Sequence, residues 1–61
     1  MPVVMVYMWA GRDEEAKERI IRGITEVFVK EGVPPEAVTV VIQDVPRENW
    51  GMGGSPATRA R

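Results

Sequence analysis

Residues Val3-Val4-Met5-Val6-Tyr7-Met8-Trp9 are apolar or aromatic at every step. Such side chains favour extended backbone, so the run predicts a strand over 3–9. A strand with one wet face alternates apolar and polar residues. This one does not, and reads as a strand covered on both faces. That is a severe demand on a chain of 61 residues. A domain of about 60 residues buries only about 60% of its unfolded surface, and ordering costs roughly 1.5 kcal/mol per residue. Chains this short commonly rely on disulfides, a metal or a partner. The sequence has no Cys and no His, which removes a disulfide framework and leaves no signature for a metal. An unusually good core or self-association remains, and the unbroken apolar strand favours self-association. A second copy is expected to cover the sheet face that one short helix leaves open.

The same two zeros exclude a thiol nucleophile, a Cys/His zinc site and Ser-His-Asp machinery. Carboxylate metal sites stay open in principle, but no calcium-loop pattern is present and no metal is expected. Eight Lys and Arg against nine Asp and Glu leave a net charge of −1, with a pI of about 5.3. That balance gives no electrostatic footprint for nucleic acid. At 44% hydrophobic and 28% charged residues the composition is globular. The apolar run from Pro2 to Ala10 is about half of a bilayer span, and no Lys or Arg precedes it. The chain is therefore read as having no membrane partner and as cytoplasmic.

Ala10-Gly11-Arg12 reads as a turn. Asp13 then makes a good helix N-cap, with Glu14 and Glu15 at the positive end of the helix dipole. Ala16, Ile20, Ile24, Val27 and Phe28 form one amphipathic stripe. The acid-before-base pairs Asp13–Lys17, Glu15–Arg19, Glu18–Arg22 and Glu26–Lys30 decorate the charged face, where both lysines are expected to be solvated. Gly32 and Pro34-Pro35 end the helix, giving a range of about 13–31. A second strand is predicted over about 38–43, ended by Pro46. Strand, helix, strand is a β-α-β unit, so the strands are expected to be parallel with a right-handed crossover. Residues 47–54 read as a turn or small hairpin and 55–61 as a polar tail. Tyr7 is assigned to the core. The fold class expected is α+β, a single β-α-β domain over 1–61 with a small C-terminal hairpin, assembling as an oligomer.

Without His or Cys, the candidate bases are carboxylates, lysines, Tyr7 and the chain terminus. Pro2 is small enough for the initiator Met to be clipped, which exposes a prolyl secondary amine. With Met1 attached the same nitrogen is a tertiary amide and no base. An apolar pocket and a nearby cation both lower an amine pKa. Pro2 opens the apolar strand and Arg12 lies beyond its far end, with about seven residues between them at about 3.3 Å each. One chain cannot bring both to a small substrate, whereas two chains can. Without further context, Pro2 is an ordinary second residue and Arg12 a surface turn residue. Trp50 is then an interface anchor, as aromatics often are.

Pro2 behind Met1, the strand closing on Gly11-Arg12, the acidic helix start, the Val-rich second strand and Trp50-Gly51-Met52-Gly53-Gly54 together resemble the 4-oxalocrotonate tautomerase family. The resemblance covers nearly the whole chain. It implies a hexamer, a trimer of dimers with four-stranded sheets, homomeric or mixed. It also implies cofactor-independent keto-enol isomerisation of a small unsaturated 2-hydroxy or 2-oxo acid, such as 2-hydroxymuconate of aromatic catabolism. By the resemblance, Pro2 is the general base and Arg12 binds a substrate carboxylate. Trp50, where Phe is usual, is an apolar wall, and Trp9, bulkier than the common Leu, lines the pocket. Thr39 stands where the best-known members carry an arginine that steadies the substrate oxygen, with Arg47 a possible substitute. Two alternatives stay open. One is a dehalogenase or hydratase acting on 3-haloacrylates, with Glu48 as the sole acid of its loop. The other is a catalytically weak partner subunit of a mixed hexamer.

Overall fold

The computed structural model describes residues 1–59. Strand β1 spans Val3–Trp9, helix α1 spans Glu14–Lys30 and strand β2 spans Thr39–Val45. A hairpin of β3 (Gly51–Met52) and β4 (Ser55–Pro56) follows. β1 and β2 pair in parallel, from Val3 opposite Thr39 to Trp9 opposite Val45. The expected β-α-β unit and C-terminal hairpin are thus present.

Local chemistry explains the helix bounds. The Asp13 carboxylate accepts from the Ala16 amide at 2.9 Å, satisfying one of the donors left open in the first turn. At the other end the Gly32 amide donates to the Val29 carbonyl and the Val33 amide to Phe28, at 3.0 and 3.1 Å. This is the Schellman arrangement, and Gly32 supplies its left-handed residue with φ 93°.

β2 begins one residue later than the sequence suggests and runs two further, through Asp44 to Val45. The two extra residues extend the ladder because Met8 and Trp9 stand opposite them. Asp44 faces α1, where its carboxylate takes the Lys17 ammonium at 2.7 Å. This corrects two expectations: Lys17 is not merely solvated, and it pairs with β2 rather than with Asp13. Of the four helical pairs, Glu18–Arg22 is the ion pair formed among the described residues.

The Lys17–Asp44 bridge also identifies the sheet faces. Partners in a parallel ladder point the same way, so Val4/Val40, Val6/Ile42 and Met8/Asp44 lie toward α1. Val4, Val6, Met8, Val40 and Ile42 are half-buried there, against a helix stripe of Ala16, Ile20, Ile24 and Phe28. Val27 departs from that stripe, at 61% exposed. The opposite face, with Val3, Met5, Tyr7, Trp9 and Val41, is open. Met5 is 65% and Tyr7 59% exposed, so Tyr7 is not a core residue within one chain.

The polar tail expected over 55–61 is a structural arm instead. Ser55 and Pro56 pair with Met52 and Gly51, across a two-residue turn at Gly53-Gly54 with φ 61° and 87°. Two successive positive φ values are what a type I′ hairpin requires. Residues 57–59 then form a 3-10 turn. Ala57 donates its amide to the Trp50 carbonyl at 2.7 Å and, at 2% exposed, is the one buried residue among those described. Ala57 belongs to no periodic apolar run, so the sequence carries no local sign of its burial. Arg61, part of that expected tail, lies outside the described residues.

The dimensions fit this open construction. The radius of gyration is 14.6 Å, against about 10.5 Å for a compact domain of this length. The accessible area is 4858 Å², where about 3950 Å² is expected for 6.8 kDa. The excess of roughly 900 Å² is comparable to one partner's share of a standard protein interface.

Candidate active site

Pro2 precedes the first rung of the sheet. Its carbonyl accepts from the Thr39 amide at 3.0 Å, and the ring is half-buried. Thr39 is exposed, opposite Val3 on the open face. The structure thus brings Pro2 and Thr39 together.

Trp9, Trp50 and Arg12 belong to the opposite end. β1 has seven residues, a span of about 23 Å, and Arg12 lies three residues past it, exposed. Gly11, with φ 128°, turns the chain between them, a conformation that side-chain-bearing residues avoid. The Trp9 and Trp50 rings meet edge to face, with centroids 6.2 Å apart and planes at 90°. That is a favoured geometry for aromatic quadrupoles. Among the described residues, one chain encloses no pocket.

Pro46 is extended at φ −64° and leads into a 3-10 turn, Arg47–Asn49, closed by the Trp50 amide on the Arg47 carbonyl at 3.1 Å. This turn folds Arg47 back so that its guanidinium carbon lies 4.7 Å from the Trp9 ring centroid. Sequence reasoning left Arg47 unplaced. The available signal was its spacing of three from Trp50, which in a 3-10 turn puts two residues on one side. Glu48 sits in the same turn, exposed.

The open-faced β-α-β unit, its proline ahead of β1 and its arginine and tryptophans beyond it together define a tautomerase-like module. Comparison with known proteins agrees. The family model described as "Tautomerase enzyme" matches residues 2–59. A 2-hydroxymuconate tautomerase of Comamonas testosteroni is 45% identical over 58 residues, 93% of this chain and 92% of that protein. A structure from the 4-oxalocrotonate tautomerase isozymes of Methylibium petroleiphilum superposes with a TM-score of 0.86 at 43% identity, covering 93% and 94% of the two chains. A heterohexamer 4-oxalocrotonate tautomerase from Chloroflexus aurantiacus gives 0.88 at 29% identity, with both chains covered in full. The chain belongs to the tautomerase family. It is a tautomerase, hence an isomerase, and these relatives do not favour the 3-haloacrylate alternative.

Proposed function

We propose that the chain catalyses cofactor-independent enol-to-keto isomerisation of a small unsaturated 2-hydroxy acid such as 2-hydroxymuconate, in a site shared between copies. The names of its relatives support the substrate. One observation carries the shared site: Pro2 and Arg12 flank a strand of about 23 Å, and no small acid bridges that distance within one chain. An antiparallel neighbour added at the edge of β1 lays the Arg12 end of one copy beside the Pro2 end of the next. It also satisfies the unpaired backbone groups of that edge. Stacking of the open faces then covers Val3, Met5, Tyr7 and Val41. A hexamer, a trimer of dimers, meets both demands.

In this reading Met1 is removed and the Pro2 nitrogen is a neutral secondary amine. It takes the proton from the substrate's enol hydroxyl. As the C–O bond becomes C=O, the electron pair moves along the conjugated chain, and the same nitrogen returns the proton to carbon. Arg12 of a neighbouring copy holds a carboxylate and draws electron density toward it. Trp50 and Trp9 keep the site dry, which strengthens each electrostatic contact. The Thr39 hydroxyl beside Pro2 donates to the substrate oxygen.

Conversion of 2-hydroxymuconate, followed by absorbance, tests this reading. Pro2→Ala is expected to lose about 10²–10⁴-fold in rate with unchanged assembly, and intact mass to show Met1 absent. An unaltered rate removes the assigned base. Mixed refolding of inactive Pro2→Ala and Arg12→Ala chains is expected to restore about a quarter of the sites, because each site draws on two copies of a symmetric assembly. No recovery contradicts sharing. Thr39 favours a second reading, that a paralogous chain brings an arginine into a mixed hexamer, as the name of the Chloroflexus relative illustrates. A native mass from the source cell that matches one chain type excludes it.

A further inference from the structure

We infer that Arg47 is a substrate-binding residue whose guanidinium takes the second carboxylate of a dicarboxylic enol, making this site selective for diacids. The inference rests on the proton-transfer reading above and adds to it the residue that sets substrate class.

Three observations converge on Arg47. The first is position. The guanidinium lies 4.7 Å over the Trp9 ring, and Trp9 in turn meets Trp50 edge-on. The charge is therefore built into the aromatic end of the chain, the end that also carries Arg12. The second is the state of its donors. Among the described residues the ion pairs are Lys17–Asp44 and Arg22–Glu18, and Arg47 makes none. A cation held over an aromatic ring spends no N–H donor on that contact, and the Arg47 side chain makes no hydrogen bond among the described residues. A guanidinium has a planar N–H edge. That edge matches a carboxylate with two parallel hydrogen bonds. The third is that the side chain is held in advance. A 3-10 turn closed by the Trp50 amide fixes its backbone, and the indole fixes its head. Less conformational freedom is then lost when an anion binds.

Position 39 cannot supply this charge. Thr39 is uncharged and stands at the Pro2 end, six residues along β2 from Val45, the rung partner of Trp9. That is about 20 Å of strand. A site that joins the Pro2 end of one copy to the aromatic end of another thus meets one hydroxyl from the first and two guanidiniums, Arg12 and Arg47, from the second. Two cations at one end suit an acid with two anionic groups. An uncharged or monoanionic enol leaves one of them without a partner.

The test compares two acids that differ only in the distal group, 2-hydroxymuconate and 2-hydroxy-2,4-pentadienoate, on native-mass-verified assemblies. Arg47→Gln is expected to raise KM for the diacid about tenfold, the scale of a lost charge-assisted hydrogen-bond pair. KM for the monoacid should stay within about twofold, because the group removed has no counterpart in it. Arg47→Lys is expected to recover part of the diacid KM, since it restores charge without the fork. A structural role for Arg47 moves both acids together. Equal changes for the two acids, no change in either, or disassembly of Arg47→Gln with an Arg47→Lys variant that keeps wild-type selectivity against the monoacid all overturn the assignment. Failure of the underlying reading shows separately: the wild-type chain is then inert toward both acids, or Pro2→Ala is as active as wild type, and the inference falls with it.

Discussion

The Thr39 amide donates to the Pro2 carbonyl oxygen at 3.0 Å. That bond holds the residue through its carbonyl and draws on neither the ring nitrogen nor the Thr39 side chain. The anchor is made by backbone alone, so it survives any change at 39 that keeps the amide N–H. Thr39→Val, nearly isosteric, therefore isolates the hydroxyl. It is expected to lower kcat/KM about two- to tenfold, the scale of one neutral hydrogen bond, with unchanged circular dichroism. A loss beyond a hundredfold would mean that the hydroxyl does more than steady an oxygen.

The proposed base works only when unprotonated, so the rate should fall as pH falls through the pKa of the prolyl amine. A cation near that amine disfavours its protonated form and lowers the pKa. Removing the cation has the opposite sign. In Arg12→Ala the acid limb of the pH–rate profile is expected to move to higher pH, while its alkaline side is left to other groups. A limb that stays put, or moves down, separates Arg12 from Pro2 in the assembled protein.

Met5 is 65% exposed at the middle of the open sheet face. If that face is covered by other copies, a charge there must be desolvated without a partner, which is costly. Met5→Lys is expected to reduce the native mass to that of a smaller species or a single chain, and to abolish activity although Met5 touches no substrate. Wild-type mass and activity in Met5→Lys would show that the face stays wet.

Two glycines of the helix region respond in opposite directions. Gly23 lies inside α1, and a Cβ there meets nothing within 4 Å. Gly23→Ala is expected to stabilise the chain by about 1 kcal/mol, the helix-propensity difference. Gly32 has equal space but a φ of 93°. Gly32→Ala is expected to destabilise by about 1–2 kcal/mol, the cost of a left-handed backbone for a residue with a Cβ. Denaturant midpoints measure both.

The parts legible in the sequence were those with local causes. Asp13, the stripe from Ala16 to Phe28, Gly32 and Pro34-Pro35 specify α1 to within a residue at each end. The unbroken apolar run over 3–9 specifies β1 and also announces its second, open face. Pro2, Arg12, Trp9, Trp50 and Thr39 draw their site roles from the family resemblance, and the structure sorts them into two groups at opposite ends of β1. What the sequence hid depends on non-local contact. Lys17 meets Asp44 across 27 positions, and no periodicity encodes that. The extension of β2 to Val45 depends on partners in β1. Ala57 is buried beside the turn that carries Trp50, and Arg47 reaches Trp9 through the 3-10 turn at Arg47–Asn49 that follows β2.

A molecule whose described residues seal away a single alanine has little private interior to melt. Its thermal midpoint should therefore climb with subunit concentration, since binding among copies is then the chief source of its stability. Newly made chains would sit exposed to proteases until enough siblings accumulate, and strong dilution would cost the protein its shape as well as its company.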